Sequence, residues 1–233
     1  METPTTQNLS VPIAIVIAGA MIAVALYLVG GGAAPSKTTN SAGNTEVKIV
    51  PVTAADHILG NPDAPVKIVE YTDLECPFCK QFHATMKQIM AEYGESGKVA
   101  WVIRNFPLEQ LHPNAPKLAE AAECIAELGG NDAYWKFLDT LFAAAPGNER
   151  TDMTRLSEFA TKVGVSATAF NQCYTSGSMK AKVEKEFNDA IASGGQGTPH
   201  NIVVDAKGKT VPIPGSQPYA TVKSIIDTVL VGK

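Results

Sequence analysis

Apolar and polar positions along the chain fall into three regimes. Val11 to Val29 is a run of nineteen residues without a charge. At about 1.5 Å rise per residue it spans roughly the hydrocarbon thickness of a bilayer. Short strand-like runs come next, at Val66–Tyr71 and Lys98–Asn105, and later at Asn201–Asp205 and Thr210–Ile213, the last two joined by the turn Ala206-Lys207-Gly208-Lys209. Glu46–Val52 reads as a first strand, which Pro51 confines to a sheet edge. Helical spacing governs the rest. Lys80 to Tyr93 reads as a helix. From Asn114 to Ala192 one apolar face succeeds another: Leu118, Ala121, Ala122, Ile125 and Leu128, closed at Gly129-Gly130; Tyr134, Phe137, Leu138, Leu141 and Phe142, ended near Pro146; Leu156, Phe159, Ala160 and Val163, ended at Gly164. Phe170 and Cys173 mark a short fourth segment, and Val183, Phe187 and Ile191 a fifth. Tyr219–Val231 is a final helix with Val222, Ile225, Ile226, Val229 and Leu230 inward. The order strand, helix, strand, helical block, strand, strand, helix predicts an α/β layer with an all-helical insertion at about residues 108–193.

The N-terminal region divides into a short tail (1–10), a transmembrane anchor (11–29) and a flexible, Gly/Ser/Thr-rich linker (30–45), ahead of one domain over 46–231. The polar stretch that follows Gly30-Gly31-Gly32 isolates the apolar run, which argues against a core helix. A cleaved signal peptide would carry Lys or Arg before its apolar stretch, and Met1 to Ser10 has none, although Ala33-Ala34 offers small residues for cleavage. Lys37 and Lys48 lie beyond the span and lean faintly towards a cytoplasmic domain. Cysteine usage leans the other way, towards an oxidising, extracytoplasmic space. The net charge of −4 argues against a nucleic-acid partner, and the 45% hydrophobic content allows an ordinary core.

Candidate chemistry centres on Cys76-Pro77-Phe78-Cys79. Two cysteines at this spacing form a redox pair or half of a metal site. A strand before them and a helix after them is the context of a redox pair, with the first sulfur at a helix N-terminus where dipole and free N–H groups favour thiolate. Cys76 reads as the exposed nucleophile and Cys79 as the buried resolving thiol. Pro77 suits a first helical turn, and Phe78 offers an apolar surface to an unfolded substrate. Cys79 and His83 share a helical face, yet no second CxxC or HxxxH supplies the remaining ligands of a closed zinc site. No metal or other cofactor is expected beyond a redox-active disulfide. Cys124 and Cys173 are a second pair. Four cysteines allow three connectivities, and pairing the CxxC leaves these two to form a structural disulfide, to remain free thiols, or to relay electrons. Thr198-Pro199 follows a glycine-rich stretch and precedes a strand, where a cis bond would be a specific feature.

Val66–Lys80 (VKIVEYTDLECPFCK), Leu111–Ala115 (LHPNA) and Gly197–Val203 (GTPHNIV) together resemble DsbA-like thiol–disulfide oxidoreductases of the thioredoxin superfamily, over about residues 47–231. The resemblance implies a thioredoxin-like fold with an inserted helical domain. It implies catalysis by Cys76 and Cys79, with Pro199 as a cis-proline facing Cys76 and Glu70 as a buried acid that assists proton transfer from Cys79. Pro77, Phe78, Thr198 and His200 would meet substrate, Thr198 through its backbone. His200 departs from the uncharged residue commoner there, and it either tunes the site or points away. Asp73 and Glu75 are expected in an exposed turn, opposing a Cys76 thiolate. His57, His83 and His112 read as structural or surface residues. The function implied is an oxidase that introduces disulfides into reduced, unfolded exported proteins. A membrane redox partner would reset the pair, and the domain would be held outside the cell membrane by residues 11–29. A reductase or isomerase of the same fold, or an anchored binding module with an inert CxxC, are the alternatives.

Overall fold

Among the described residues, five strands build one mixed sheet in the order β1-β3-β2-β4-β5: β1 (His57–Gly60), β2 (Val66–Thr72), β3 (Val99–Asn105), β4 (His200–Asp205) and β5 (Thr210–Ile213). The structure is a computed structural model that describes residues 47–145 and 150–232. The apolar run 11–29 and the linker 30–45 lie outside these residues. Among the described residues no helix is long and apolar enough to cross a membrane.

The two central strands, β2 and β3, run parallel, with Ile68 opposite Trp101 and Glu70 opposite Ile103. All other pairs are antiparallel. Alternation along each strand splits the interior in two. Val66, Ile68, Trp101, Ile103 and Val203 face the larger core. Val69, Tyr71, Val102 and Ile202 face the smaller one. Burial on both faces explains why β2 and β3 read as nearly continuous apolar runs.

Among the described residues, six helices cover the faces: α1 (Pro77–Ile89), α2 (Ala115–Ala144), α3 (Leu156–Lys162), α4 (Ala167–Ser176), α5 (Lys180–Ala192) and α6 (Tyr219–Val231). Phe82, Met86 and Ile89 of α1 and Val222 and Ile226 of α6 fill the larger core, together with α2, α3 and Phe170 of α4. Ala190 and Phe187 of α5 close the smaller one. Helices α2 to α5 thus lie between β3 and β4, where the insertion was expected. The Gly129-Gly130 break is present as a kink within α2, with Gly130 at φ 75. That left-handed conformation strains any residue with a Cβ. A Cβ at the neighbouring Gly129 would also lie 2.8 Å from Val165.

Two expectations need correction. Residues 47–52 form no strand; the edge strand is His57–Gly60, paired to β3. Side chains satisfy the backbone of that stretch instead. Val47 N–H donates to Thr210 Oγ1 and Val50 N–H to Asp189, while the Val50 and Pro51 carbonyls accept from Arg104. The buried Arg104 also pairs with Asp56 at 2.7 Å and Asp189 at 2.8 Å, so one cation clamps the stretch to the sheet. On α5, Ile191 is exposed and Ala190 is buried, because the helix turns its small residue to the sheet.

Cys124 on α2 and Cys173 on α4 are joined by a disulfide across 49 positions. On a chain-entropy account, a loop of this length is worth about 4 kcal/mol. A Cys124→Ser/Cys173→Ser double variant should lower unfolding stability by about that amount, read from urea denaturation, with disulfide exchange at Cys76 intact.

Candidate active site

The site forms where β2 ends and α1 begins. Cys76 is the N-cap of α1, in an extended conformation, with Pro77 in the first turn and no side chain capping the free amides. Those amides are therefore available to a sulfur anion. The Thr198–Pro199 bond is cis. It lies directly before β4, and the Cys76 S–H donates to the Thr198 carbonyl at 3.6 Å. Both cysteines carry free thiols here.

Cys76 is less open than expected: the residue is only 4% exposed, covered by the 198–199 loop, while Phe78 beside it is 61% exposed. The Cys76 pKa is lowered to about 6. The Cys79 thiol does most, by donating to the Cys76 thiolate. Burial opposes the shift, and the Thr198 side chain and the Cys79 and Phe78 amides add to it. Among the described residues the buried Thr198 hydroxyl has no hydrogen-bond partner, which leaves it available to the Cys76 sulfur as a thiolate. Cys79 is fully buried, and burial first, then the neighbouring Cys76 and Glu70, push its thiol well above the usual range. The two sulfurs are thus driven apart: one a ready thiolate and leaving group, the other a protonated thiol.

Glu70 lies on the same face of β2 as Val66 and Ile68, almost fully buried. Burial raises its carboxyl to about 8, against hydrogen bonds from Thr72 and Trp101 that favour the charged form. Trp101 Nε1 donates to it at 3.0 Å. Glu70 therefore favours its protonated form at neutral pH, and when it ionises its charge lies close enough to Cys79 to raise that thiol.

His200 makes its contacts on the smaller-core side. Ser193 Oγ lies 3.1 Å from Nε2, and the ring stacks on Tyr71 at 5.6 Å. Burial lowers its pKa. Of the two readings of His200, the geometry favours the one in which it points away. His57 is stacked on Tyr134 and bonded to Glu123, His83 is bonded to Asp139, and His112 is bonded to Asp73. The first two are internal structural groups.

Asp73 and Glu75 contradict the expectation of an exposed turn, at 0% and 4% exposure. Each is buried because its carboxylate receives several donors. Glu75 accepts from the Asn114 amide and side chain. Asp73 accepts from the Glu75 amide at 2.8 Å, the Leu108 amide at 2.8 Å and His112 Nδ1 at 2.9 Å. The Leu111–Ala115 motif was visible in the sequence, but its link to the acids before Cys76 was not. Trp101 and Thr72 were missed as partners of Glu70; only their strand pattern was visible.

An open groove of about 810 Å³ is lined among others by Leu108, Leu111, Val183, Phe187 and Gln196. Leu111 is 68% exposed.

A family model described as thioredoxin matches residues 52–228. The chain aligns with the solved structure of BdbD from Bacillus subtilis at 24% identity and a TM-score of 0.69, over 79% of this chain and 98% of that one. Pseudomonas aeruginosa DsbA2 aligns at 26% identity and a TM-score of 0.62, over 78% and 96%. A protein of Mycolicibacterium gilvum named Na(+)/H(+) antiporter NhaA 1 is 35% identical over 146 residues, 62% of this chain and 22% of the relative. The chain thus spans about a fifth of the length of the curated relatives it matches.

Proposed function

Given that the chain belongs to the thioredoxin family, as a DsbA-like thiol–disulfide oxidoreductase, we propose that it works as an oxidase, passing a disulfide from Cys76–Cys79 to reduced polypeptides. The observation that carries this reading is the sulfur at the α1 N-cap, whose thiolate is stabilised by Cys79 and two amides. A stabilised thiolate favours the reduced pair and makes the disulfide the reactive form.

In the step proposed, a substrate thiolate attacks Cys76 Sγ. The Cys76–Cys79 bond breaks, its electron pair leaves on Cys79 sulfur, and the protonated Glu70 supplies a proton there. A second substrate thiolate then attacks the substrate sulfur of the mixed disulfide, and Cys76 departs as a thiolate. The substrate loses two electrons, the chain gains them, and a redox partner must remove them to reset the pair. Phe78, Leu111 and the adjoining groove supply apolar surface for an unfolded segment, and the Thr198 backbone at the end of β4 supplies a place for it to lie extended. Residues 11–29 anchor the domain to a membrane on its oxidising side; an N-terminal apolar run and relatives named as antiporters support that setting. Ion transport is not carried over, since the match covers 22% of the relative.

The test is direction. Oxidised protein mixed with a reduced, unfolded polypeptide should lose its disulfide as the polypeptide gains one. Reduction of substrate disulfides with no oxidation of thiols would favour the reductase, and no exchange at all the binding module.

A further inference from the structure

The burial of Asp73 has a consequence for the resolving sulfur. Its backbone faces both cysteines: the Asp73 N–H donates to Cys79 Sγ at 3.4 Å, and its carbonyl accepts from the Cys76 amide at 3.1 Å. Its carboxylate points the other way, into the 108–112 segment. There one oxygen takes the Glu75 amide and the other takes the Leu108 amide and His112 Nδ1, all within 2.9 Å. A fully buried carboxylate with three donors is held in one place. Its own N–H, four bonds or so away along a fixed turn, is held with it.

We propose that Asp73 is a positioning residue for disulfide exchange: clamped by Leu108, Glu75 and His112, it keeps its N–H aimed at the Cys79 sulfur, where it receives the charge that lands on Cys79 when the Cys76–Cys79 bond breaks. No electron or proton is added to the scheme; the amide stabilises the departing thiolate until Glu70 protonates it. A donor fixed before the charge arrives needs no reorganisation, which is where such donors are most effective. The charged or titratable groups around the clamp are His112 and Glu75 on the loop side, and Cys79, Cys76 and Glu70 on the site side. His112 faces Asp73 as a donor in either protonation state. The proposal rests on the exchange chemistry above but not on its direction.

The test uses Asp73→Asn, whose carboxamide can keep the Glu75 amide but sets an NH₂ against Leu108, and His112→Gln, which removes a single clamp. In reduced protein, hydrogen exchange of the residue-73 amide reports its bond to Cys79 without any substrate. It should quicken at least about tenfold in Asp73→Asn and less in His112→Gln. Attack by a small thiol on the oxidised protein should slow about tenfold in Asp73→Asn, while the Cys76 thiolate titration stays near that of wild type, since Asp73 is not among its partners. The deficit should widen above pH 8, where Glu70 no longer carries a proton to share the work. An unchanged residue-73 amide, or equal attack rates with only a lowered melting temperature, would overturn the assignment and leave Asp73 a packing residue. Failure of the oxidised wild-type protein to oxidise polypeptide thiols, with small-thiol attack still slowed in Asp73→Asn, would instead count against the oxidase reading alone. If Asp73→Asn fails to fold, His112→Gln carries the same two readouts, with expected changes of about two- to threefold.

Discussion

Replacing Cys79 with serine is expected to stop turnover almost completely, by roughly three orders of magnitude or more, and to leave Cys76 trapped in mixed disulfides with its substrates. Two effects combine. The second sulfur that must share the disulfide is gone, so no pair can be transferred. The Cys76 thiolate also loses its largest stabilising partner, the Cys79 thiol. Serine keeps an O–H donor at that position, so the Cys76 pKa should rise only part of the way from about 6. Alanine removes the donor and should bring it closer to the usual thiol value. Titration of thiolate absorbance in the three proteins checks the order wild type, serine, alanine. An alanine variant with an unmoved Cys76 pKa would mean that the N-cap amides and Thr198 alone hold the thiolate. Non-reducing gels of cells that carry Cys79→Ser read the trapped adducts directly.

Glu70→Gln is expected to stabilise the fold while slowing the reaction. In the unfolded chain Glu70 ionises near 4.5, whereas burial in the fold moves it to about 8. A carboxyl with a raised folded pKa contributes most below its unfolded value, and that contribution is lost as pH rises through the folded pKa. The native state therefore weakens between pH 4.5 and 8, by roughly 5 kcal/mol over the whole window. Glutamine does not titrate. The variant should match wild type in urea unfolding near pH 4 and exceed it by several kcal/mol at pH 8 and above. Activity should move the other way, because glutamine cannot pass a proton to the Cys79 sulfur. A stability gap that stays flat from pH 4 to 9 would show Glu70 ionising like an exposed carboxylate.

Much of this site was legible from the sequence because each signal was local. CPFC at a strand-to-helix junction, a proline in the first helical turn and a Thr-Pro before a strand need no tertiary context to be read. The same holds for the Gly129-Gly130 break and for β5, whose bounds the alternation placed at Thr210–Ile213. The errors arose where long-range partners decide. Asp73 and Glu75 are polar residues in a turn, and alone they read as exposed; donors from a loop some thirty-five to thirty-nine positions away bury them. Residues 47–52 look like a strand until Arg104, Asp189 and Thr210 claim their backbone groups. Cys76 lies at an exposed helix terminus by motif, yet a loop 122 positions later in the chain covers it. Its openness could not be judged from neighbours in sequence. The Cys124–Cys173 bond was one of three readings for those residues, and only the packing of α2 against α4 decides between them.

The central claim is that Cys76 is held as a thiolate strongly enough to make its disulfide an oxidant, and the reduction potential of the Cys76–Cys79 pair tests it most directly. Each tenfold preference for thiolate over thiol raises the potential of a two-electron couple by about 30 mV. Thioredoxin, with a nucleophilic cysteine near pH 7 and a potential of about −270 mV, sets the scale. A Cys76 pKa of about 6 predicts a potential at pH 7 of about −240 mV or higher, measured by equilibration with glutathione. A value at or below about −270 mV would contradict the account and make the protein a reductase.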